Sequence, residues 1–403
     1  MPWDLKILNE NLIATLEPIT LRSTQEQEVI RNGLKDTIGS VDLDGFLVGC
    51  KRLLIIVNDA TRKTPTYKIL EHLQDWLEKL EFNIIIATGS HKKPDDQQLK
   101  KTLASFAELY ADRIIVHDAL EAEMTYLGTT SRGTPVKLNK IVEEVDRIIA
   151  INSVEPHYFA GYTGGRKSLI PGIASYETIE KNHSLALENN SKIIALKGNP
   201  VHEDMTEAAL ILTKRIFSIN LIIDSEADVY GVYAGDLIKS FQAAVDQARK
   251  IYVQKVPEKA DILLAFAQPP LNEDLYQAQK GIENNRLALK EGGILILVAT
   301  CQKGVGKKGY YNLLTSCKSP EAVMEKIKKG YLLGYHKAAK IVDFQRYHQL
   351  WMITKLPNSI LDPIRIRKFD QLSVAVEQAF KQKGNKAGVI INRDAALTVP
   401  FVT

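Results

Sequence analysis

The sequence predicts an α/β protein of two domains, each built on a largely parallel sheet. Short runs rich in isoleucine, leucine and valine alternate with longer amphipathic stretches along almost the whole chain. Those runs show little polar alternation, which marks strands buried on both faces and covered by helices. The length of 403 residues exceeds what one hydrophobic core usually holds, so two cores are expected.

Taken in order, RLLIIVND (52–59) reads as a strand ending in polar residues, and YKILEHLQDWLEKL (67–80) has helical spacing. FNIIIATGSH (82–91) is a second strand, followed by a helix-like stretch over 95–110. RIIVHDA, DRIIAIN, SKIIALKG and RIFSINLIID repeat the strand pattern. FQAAVDQARKIYVQKV (241–256) reads as a helix before Pro257, and ADILLAFAQP then opens a new strand series with GGILILVAT (292–300) at its centre. The domain boundary is therefore expected at 256/257, giving domains 1–256 and 257–403. In parallel sheets ligands gather at the carboxyl ends of strands. That directs attention to Asn58-Asp59-Ala60-Thr61-Arg62 and to Gly89-Ser90-His91.

The composition is that of an ordinary globular protein, 45% hydrophobic and 25% charged. Net charge is +4 without a long basic block, whereas a nucleic-acid binder shows a clustered basic stripe. No run approaches the roughly 18 apolar residues that span a bilayer, and MPWDLKILNE lacks the pattern of a secretion signal. Cys50, Cys301 and Cys317 have no CxxC spacing. Reduced thiols and a cytoplasmic location are the expectation.

Two motifs resemble nucleotide loops without satisfying them. Gly304-Val305-Gly306-Lys307-Lys308-Gly309 spells GxGxxG, but Cys301-Gln302-Lys303 intervene after the strand, so the glycines miss the tight turn that a dinucleotide needs. Gly161 to Ser168 is one residue from a phosphate-binding P-loop. Arg166 replaces its last glycine and Pro171 interrupts the helix that should follow.

The remaining polar groups form a pattern of their own: DxTR at Asp59–Arg62, GxH at Gly89–His91, HxxxGxxGGxKxxxPG at His157–Gly172, Asn182-His183, and YQxxKG at Tyr276–Gly281. These five motifs, in this order, resemble the nickel-dependent lactate racemase family. The resemblance implies that Lys167 carries a covalently attached pyridinium-derived mononucleotide whose sulfur substituents and ring carbon hold nickel, with His183 as the protein ligand. Sulfur and imidazole in a square-planar set suit Ni(II). It further implies reversible hydride transfer from a 2-hydroxy acid, with His91 and His157 as acid and base. Arg62 would grip the substrate carboxylate, with Gln277 and Lys280 as further donors. Asp59 would orient its neighbours or hold the cofactor, and Tyr276 would pack beside it.

Donors from both domains imply an active site in the cleft between them, and cofactor-synthesis proteins as maturation partners. Neither nucleic acid nor membrane is expected as a partner. Lys63 and Lys92-Lys93 would add positive charge at the pocket mouth. Epimerisation of a longer sugar acid and non-catalytic mononucleotide binding are the alternatives. His72 and His202, the latter in GNPVHED, receive no role; His117 is read as structural. His336 lies in a segment that recurs in the family.

Overall fold

A computed structural model describes residues 9–17, 25–224, 226–269 and 271–402. The chain forms two compact units, one of Thr20–Arg249 and one of Lys250–Thr403 together with Met1–Ile19. The strand Leu12–Leu16 pairs in parallel with Val389–Asn392, and Asn11 Nδ2 donates to the carbonyls of Asn385 at 2.8 Å and Ala387 at 3.1 Å. This segment thus departs from a 1–256 domain. Its backbone finds partners at the far end of the chain, which local hydrophobic pattern does not encode.

In the Thr20–Arg249 unit a six-stranded sheet runs Val229–Asp236, Arg215–Ile223, Arg147–Ser153, Arg52–Asn58, Glu81–Ala87, Ile114–Val116 from edge to edge. Only the first pair is antiparallel. Leu53 to Val57 are all at most 1% exposed. Each such side chain contributes about 1.5–3 kcal/mol of burial, so this apolar run takes the sheet's centre. The chain lays down strands outward from Arg52–Asn58 to Ile114–Val116, then returns to place Arg147–Ser153 on its other side. The winding reverses between Arg52–Asn58 and Arg147–Ser153, and at such a reversal the carboxyl ends open a crevice.

Three expectations are refined here. The 67–80 stretch forms two helices, Thr66–Glu71 and Gln74–Leu77, separated where His72 and Leu73 take tighter i−3 bonds to Ile69 and Leu70. The 95–110 stretch starts on an Asp95–Gln98 capping box and breaks at Ala104, at φ 50°. SKIIALKG is not a strand. Ile193 makes one bridge to Gly161, and Ile194 at φ 56° turns the chain out of the extended conformation.

The other unit holds an all-parallel sheet ordered Leu12–Leu16, Val389–Asn392, Ala260–Phe266, Leu289–Val298, Gln349–Ile353, Arg367–Phe369. Its winding reverses between Ala260–Phe266 and Val389–Asn392, and the YQxxKG segment follows the first of these. The helix Lys239–Tyr252 stops short of 256. Val253–Val256 is instead a strand paired with Val399–Val402. Among the described residues no helix is long and apolar enough to cross a membrane.

Candidate active site

The Thr20–Arg249 unit holds most of the residues singled out by motif, beginning at the carboxyl end of its central strand. Asp59 directly follows the central strand and is 6% exposed. Its Oδ2 lies 2.7 Å from His91 Nδ1, and its Oδ1 accepts from the Thr61 hydroxyl at 2.5 Å and the Thr61 amide at 3.2 Å. Burial alone would push the Asp59 carboxyl up. The His91 hydrogen bond and charge, the Thr61 hydroxyl and the Arg62 charge outweigh it and hold the group below the ordinary aspartate range. An ionised Asp59 places the proton of a neutral His91 on Nδ1 and leaves the lone pair on Nε2.

Arg62, one turn beyond Asp59, reaches across the reversal point to Glu155, Nη1 to Oε2 at 3.5 Å. The two strand ends are also joined by Thr64, whose hydroxyl donates to Ser153 Oγ at 2.9 Å and accepts from Asn58 Nδ2 at 2.8 Å. Glu155 has no place in the motif pattern. An acidic residue just past a strand end, two before His157, was the signal available for it.

His157 opens a small antiparallel ladder in which Pro156 and His157 pair with Tyr162 and Gly161. Its Nδ1 accepts from the Ala160 amide at 3.3 Å, so a neutral His157 carries its proton on Nε2. As neutral rings the two would hold opposite tautomers, one with a lone pair at Nε2 and the other with a proton.

Lys167 sits on a single 3-10 turn, Gly165–Ser168. Gly165, at φ 52°, lets the backbone pass the Phe241 ring, where a Cβ would come within 2.9 Å. Gly161, at φ 76°, leaves no room for a Cβ, which would fall 2.2 Å from the Ala195 carbonyl oxygen. Arg166, which spoils the P-loop pattern, is fully buried. Its guanidinium donates to the carbonyls of Ala160, Tyr162 and Gly164 at 3.0–3.1 Å and lies 4.3 Å from the Phe241 ring centre. Burial pulls its pKa down to about 9, which leaves it a cation at neutral pH. Arg166 thus clamps the loop that presents Lys167. Asn220 accepts from the Gly165 amide at 3.0 Å, and the Ser168 hydroxyl is bound by Asn152.

Phe159 gathers three of the predicted residues. Lys167 Nζ is 5.8 Å from its ring centre, His183 meets it edge-on at 5.1 Å, and His157 does so at 4.6 Å. Among the described residues no group of three or more His, Cys, Asp or Glu has the arrangement of a metal site. Lys167, beside the same aromatic ring as His183, is placed to tether a non-protein group that could supply a metal with further donors. The residues fit a lysine-linked metal cofactor.

The other unit carries the YQxxKG residues. Tyr276 is covered by Lys337, whose Nζ lies 3.5 Å from its ring centre and donates to its carbonyl at 2.8 Å. Tyr310 packs edge-on against it at 5.3 Å, and Lys307 Nζ is 5.5 Å from its ring. Gly304 to Lys307 is accordingly a loop that closes on Tyr276, where the Leu275 amide donates to the Gly304 carbonyl at 3.1 Å, and Lys308-Gly309 open the helix Lys308–Thr315. Gln277 and Lys280 are half-buried on the short helices Leu275–Ala278 and Lys280–Asn285. His336 is buried and bonded to the Tyr331 hydroxyl at 2.7 Å.

His117 is also buried, facing the Ala174 carbonyl at 3.0 Å and the Asn139 amide at 3.3 Å. Of the lysines expected at the pocket mouth, Lys63 and Lys92 are exposed, while Lys93 is paired with Asp118 at 3.3 Å.

The fold recurs in known proteins. The lactate racemase N-terminal domain matches residues 2–194, and the lactate racemase C-terminal domain matches residues 255–399. A lactate racemase from Thermoanaerobacterium thermosaccharolyticum is 32% identical over 311 residues, covering 75% of this chain and 72% of that protein. One from Lactiplantibacillus plantarum is 29% identical over 383 residues, covering 92% of this chain and 89% of that protein. The lactate racemase apoprotein structure from T. thermosaccharolyticum superposes with a TM-score of 0.91 at 28% identity, covering 97% of this chain and 95% of that one. A Thermotoga maritima protein, at 17% identity and a TM-score of 0.71 over 96% of this chain and 99% of its own, shares the fold. The chain belongs to the lactate racemase family.

Proposed function

We propose that this chain is a racemase of small 2-hydroxy acids, lactate foremost, that works with nickel held by a pyridinium mononucleotide joined to Lys167. When bound, that group supplies the reversible hydride acceptance that a non-acidic C–H bond requires. Lys167 would be the tether and His183 the metal ligand. The observation that carries the reading is the placement of two histidines, His91 against Asp59 and His157 against the Phe159 ring that Lys167 and His183 also meet.

The chemistry asked of the protein's own residues follows from that pair. Arg62, held from one side by Glu155, presents its remaining N–H donors to the substrate carboxylate. His91 Nε2, with its lone pair fixed by Asp59, accepts the hydroxyl proton as the C–H bond is cleaved. As an imidazolium, which gives up the Ala160 contact, His157 would return a proton to the oxygen when the hydrogen comes back on the opposite face, and would end as a neutral ring. The opposite hand of substrate uses the same two imidazoles with the roles exchanged. Excluding water protects the transient keto acid. Gln277 and Lys280 as substrate donors and Tyr276 as a cofactor contact rest on the YQxxKG match. Three free cysteines suit a reducing compartment, and the cytoplasm is the proposed location.

The test is co-expression with cofactor-synthesis proteins. It is followed by intact mass, nickel content and chiral chromatography of D- and L-lactate. An adduct on the Lys167 peptide, stoichiometric nickel and interconversion of the two hands are expected. Adduct-bearing, nickel-loaded protein that converts neither lactate nor longer 2-hydroxy acids would leave the non-catalytic binding alternative.

A further inference from the structure

The segment GNPVHED, residues 198–204, forms the cap and first turn of the helix Pro200–Ile211. Asn199 caps that helix through Oδ1, which accepts from the amides of Val201 at 3.1 Å and His202 at 3.3 Å. Its Nδ2 turns the other way and donates to the carbonyls of Phe159 at 2.8 Å and Ala195 at 3.0 Å. His202 lies near Arg166; burial first, then that charge, push its pKa down to about 3, so the ring is neutral. Asp204 is fully buried. It accepts from the Thr130 hydroxyl at 2.5 Å, the Thr134 hydroxyl at 2.9 Å and Asn182 Nδ2 at 2.7 Å.

A polar group this deep is retained only where hydrogen bonds replace water, and here three neutral donors do so. One of them, Asn182, is also fully buried and immediately precedes His183. The helix that carries both, Tyr176–Ser184, is secured at its amino end by the Ser175 cap and by Thr178, whose hydroxyl donates to the Pro135 carbonyl at 2.6 Å. The Asn182–Asp204 bond secures the other end, where His183 projects toward Phe159. The start of helix Pro200–Ile211 thus grips both the backbone of Phe159 and the neighbour of His183.

We propose that Asp204 is a positioning residue for His183: through Asn182 it fixes the last turn of helix Tyr176–Ser184, and with it the direction in which the imidazole meets the metal. The inference rests on the reading of His183 as the nickel ligand. Ligand direction matters because metal sites tolerate only small displacements of a donor. The sequence NH is then one unit, with Asn182 anchoring and His183 ligating.

The experiment compares Asn182→Asp, which sets a second carboxylate against Asp204, with the exchanged pair Asn182→Asp/Asp204→Asn, which restores the bond with its ends reversed. Asn182→Ala serves as a milder variant should the like charges prevent folding. Thr134→Val removes another bond from the same carboxylate without touching Asn182. Nickel retained by adduct-bearing protein after a chelator challenge is measured beside thermal stability. The rate of diethyl pyrocarbonate modification at His183 is measured in the cofactor-free protein.

Asn182→Asp and Asn182→Ala should keep the Lys167 adduct, weaken nickel retention about tenfold or more, and change the His183 modification rate. The exchanged pair should restore both, and Thr134→Val should lose stability while keeping nickel. Wild-type nickel retention in folded Asn182→Ala would overturn the proposal. So would nickel loss in Thr134→Val matching that of Asn182→Ala at equal loss of stability. His183→Ala, run in parallel, separates the two readings: nickel retained there removes the ligand assignment itself.

Discussion

His91 Nδ1 stands 2.7 Å from Asp59 Oδ2 while Thr61 holds the other oxygen of the same carboxylate through both its hydroxyl and its amide. The second grip matters as much as the first. In Asp59→Asn the amide oxygen would be drawn to the two Thr61 donors, leaving the NH2 group to face His91. His91 would then accept at Nδ1 and carry its proton on Nε2, the wrong tautomer for a base. Turnover should fall by about 10²–10⁴ with cofactor loading unchanged. Steady-state racemisation of fully loaded protein checks this, and wild-type turnover would remove Asp59 from the mechanism.

The same contact has a pH signature. Asp59 titrates below its ordinary value in the folded protein, so its contribution to stability is complete above the unfolded-state value of about 3.9. That contribution is lost as pH falls through the lower folded value. The part of the stability gap between wild type and Asp59→Asn that comes from ionisation of Asp59 should therefore be present at neutral pH and close in acid. Urea denaturation down to acid pH measures it; a gap that persists undiminished once Asp59 is protonated would assign the effect to another group.

The central strand and the site motifs were legible because each rests on contiguous residues. Leu53 to Val57 can be buried on both faces only at a sheet's centre, and the polar residues after them must then lie at its carboxyl edge. Leu12–Leu16 was not legible, because its pairing partner lies at residues 389–392. Nor was the end of helix 239–252, where apolar Val253 and Val256 continue the pattern in a strand paired with 399–402. Arg166 could be read as a departure from a P-loop but not as a clamp, since its three carbonyl partners converge only when the loop is folded. Glu155, Phe159 and Asp204 act through space in the same way.

That clamp predicts a large effect from a residue adjoining Lys167. Arg166→Met would leave three carbonyl acceptors without their donor, a loss of about 3 kcal/mol or more at about 1–3 kcal/mol for each unsatisfied buried group. Arg166→Lys keeps the charge but cannot span all three acceptors, so it should rescue stability only in part. Chemical denaturation gives the stability, and intact mass after co-expression gives the fraction of Lys167 modified. Full modification and wild-type stability in Arg166→Met would dismiss the clamp.

Tether and ligand should separate cleanly. Lys167→Ala removes an amine from a loop turn whose fold is set by Arg166, Asn220 and Asn152, so the protein should fold with near-normal stability and carry no adduct. His183→Ala should carry the adduct and lose nickel. Intact mass and metal analysis of the two purified variants decide it. An adduct on Lys167→Ala would place the tether elsewhere.

The two histidines should fail asymmetrically. His91 meets Asp59 and His157 meets the Ala160 amide, each through Nδ1, which leaves Nε2 of both rings for the substrate. If they face opposite sides of the substrate, each serves as base for one enantiomer and as acid in release of the other. Either His→Ala change should nearly abolish net racemisation in both directions, because interconversion of simple enantiomers has an equilibrium constant near unity and needs both steps. The first half-reaction should survive with only one hand of substrate in each variant. Loss of a positioned acid or base costs about 10²–10⁴ in rate, which single-turnover spectroscopy of the loaded protein resolves. Mixing each variant separately with D- and L-lactate should give opposite preferences, and the hand that His91→Ala still accepts should be the one whose proton goes to His157. Equal, near-wild-type half-reactions by both variants with both hands would take the histidines out of the proton path.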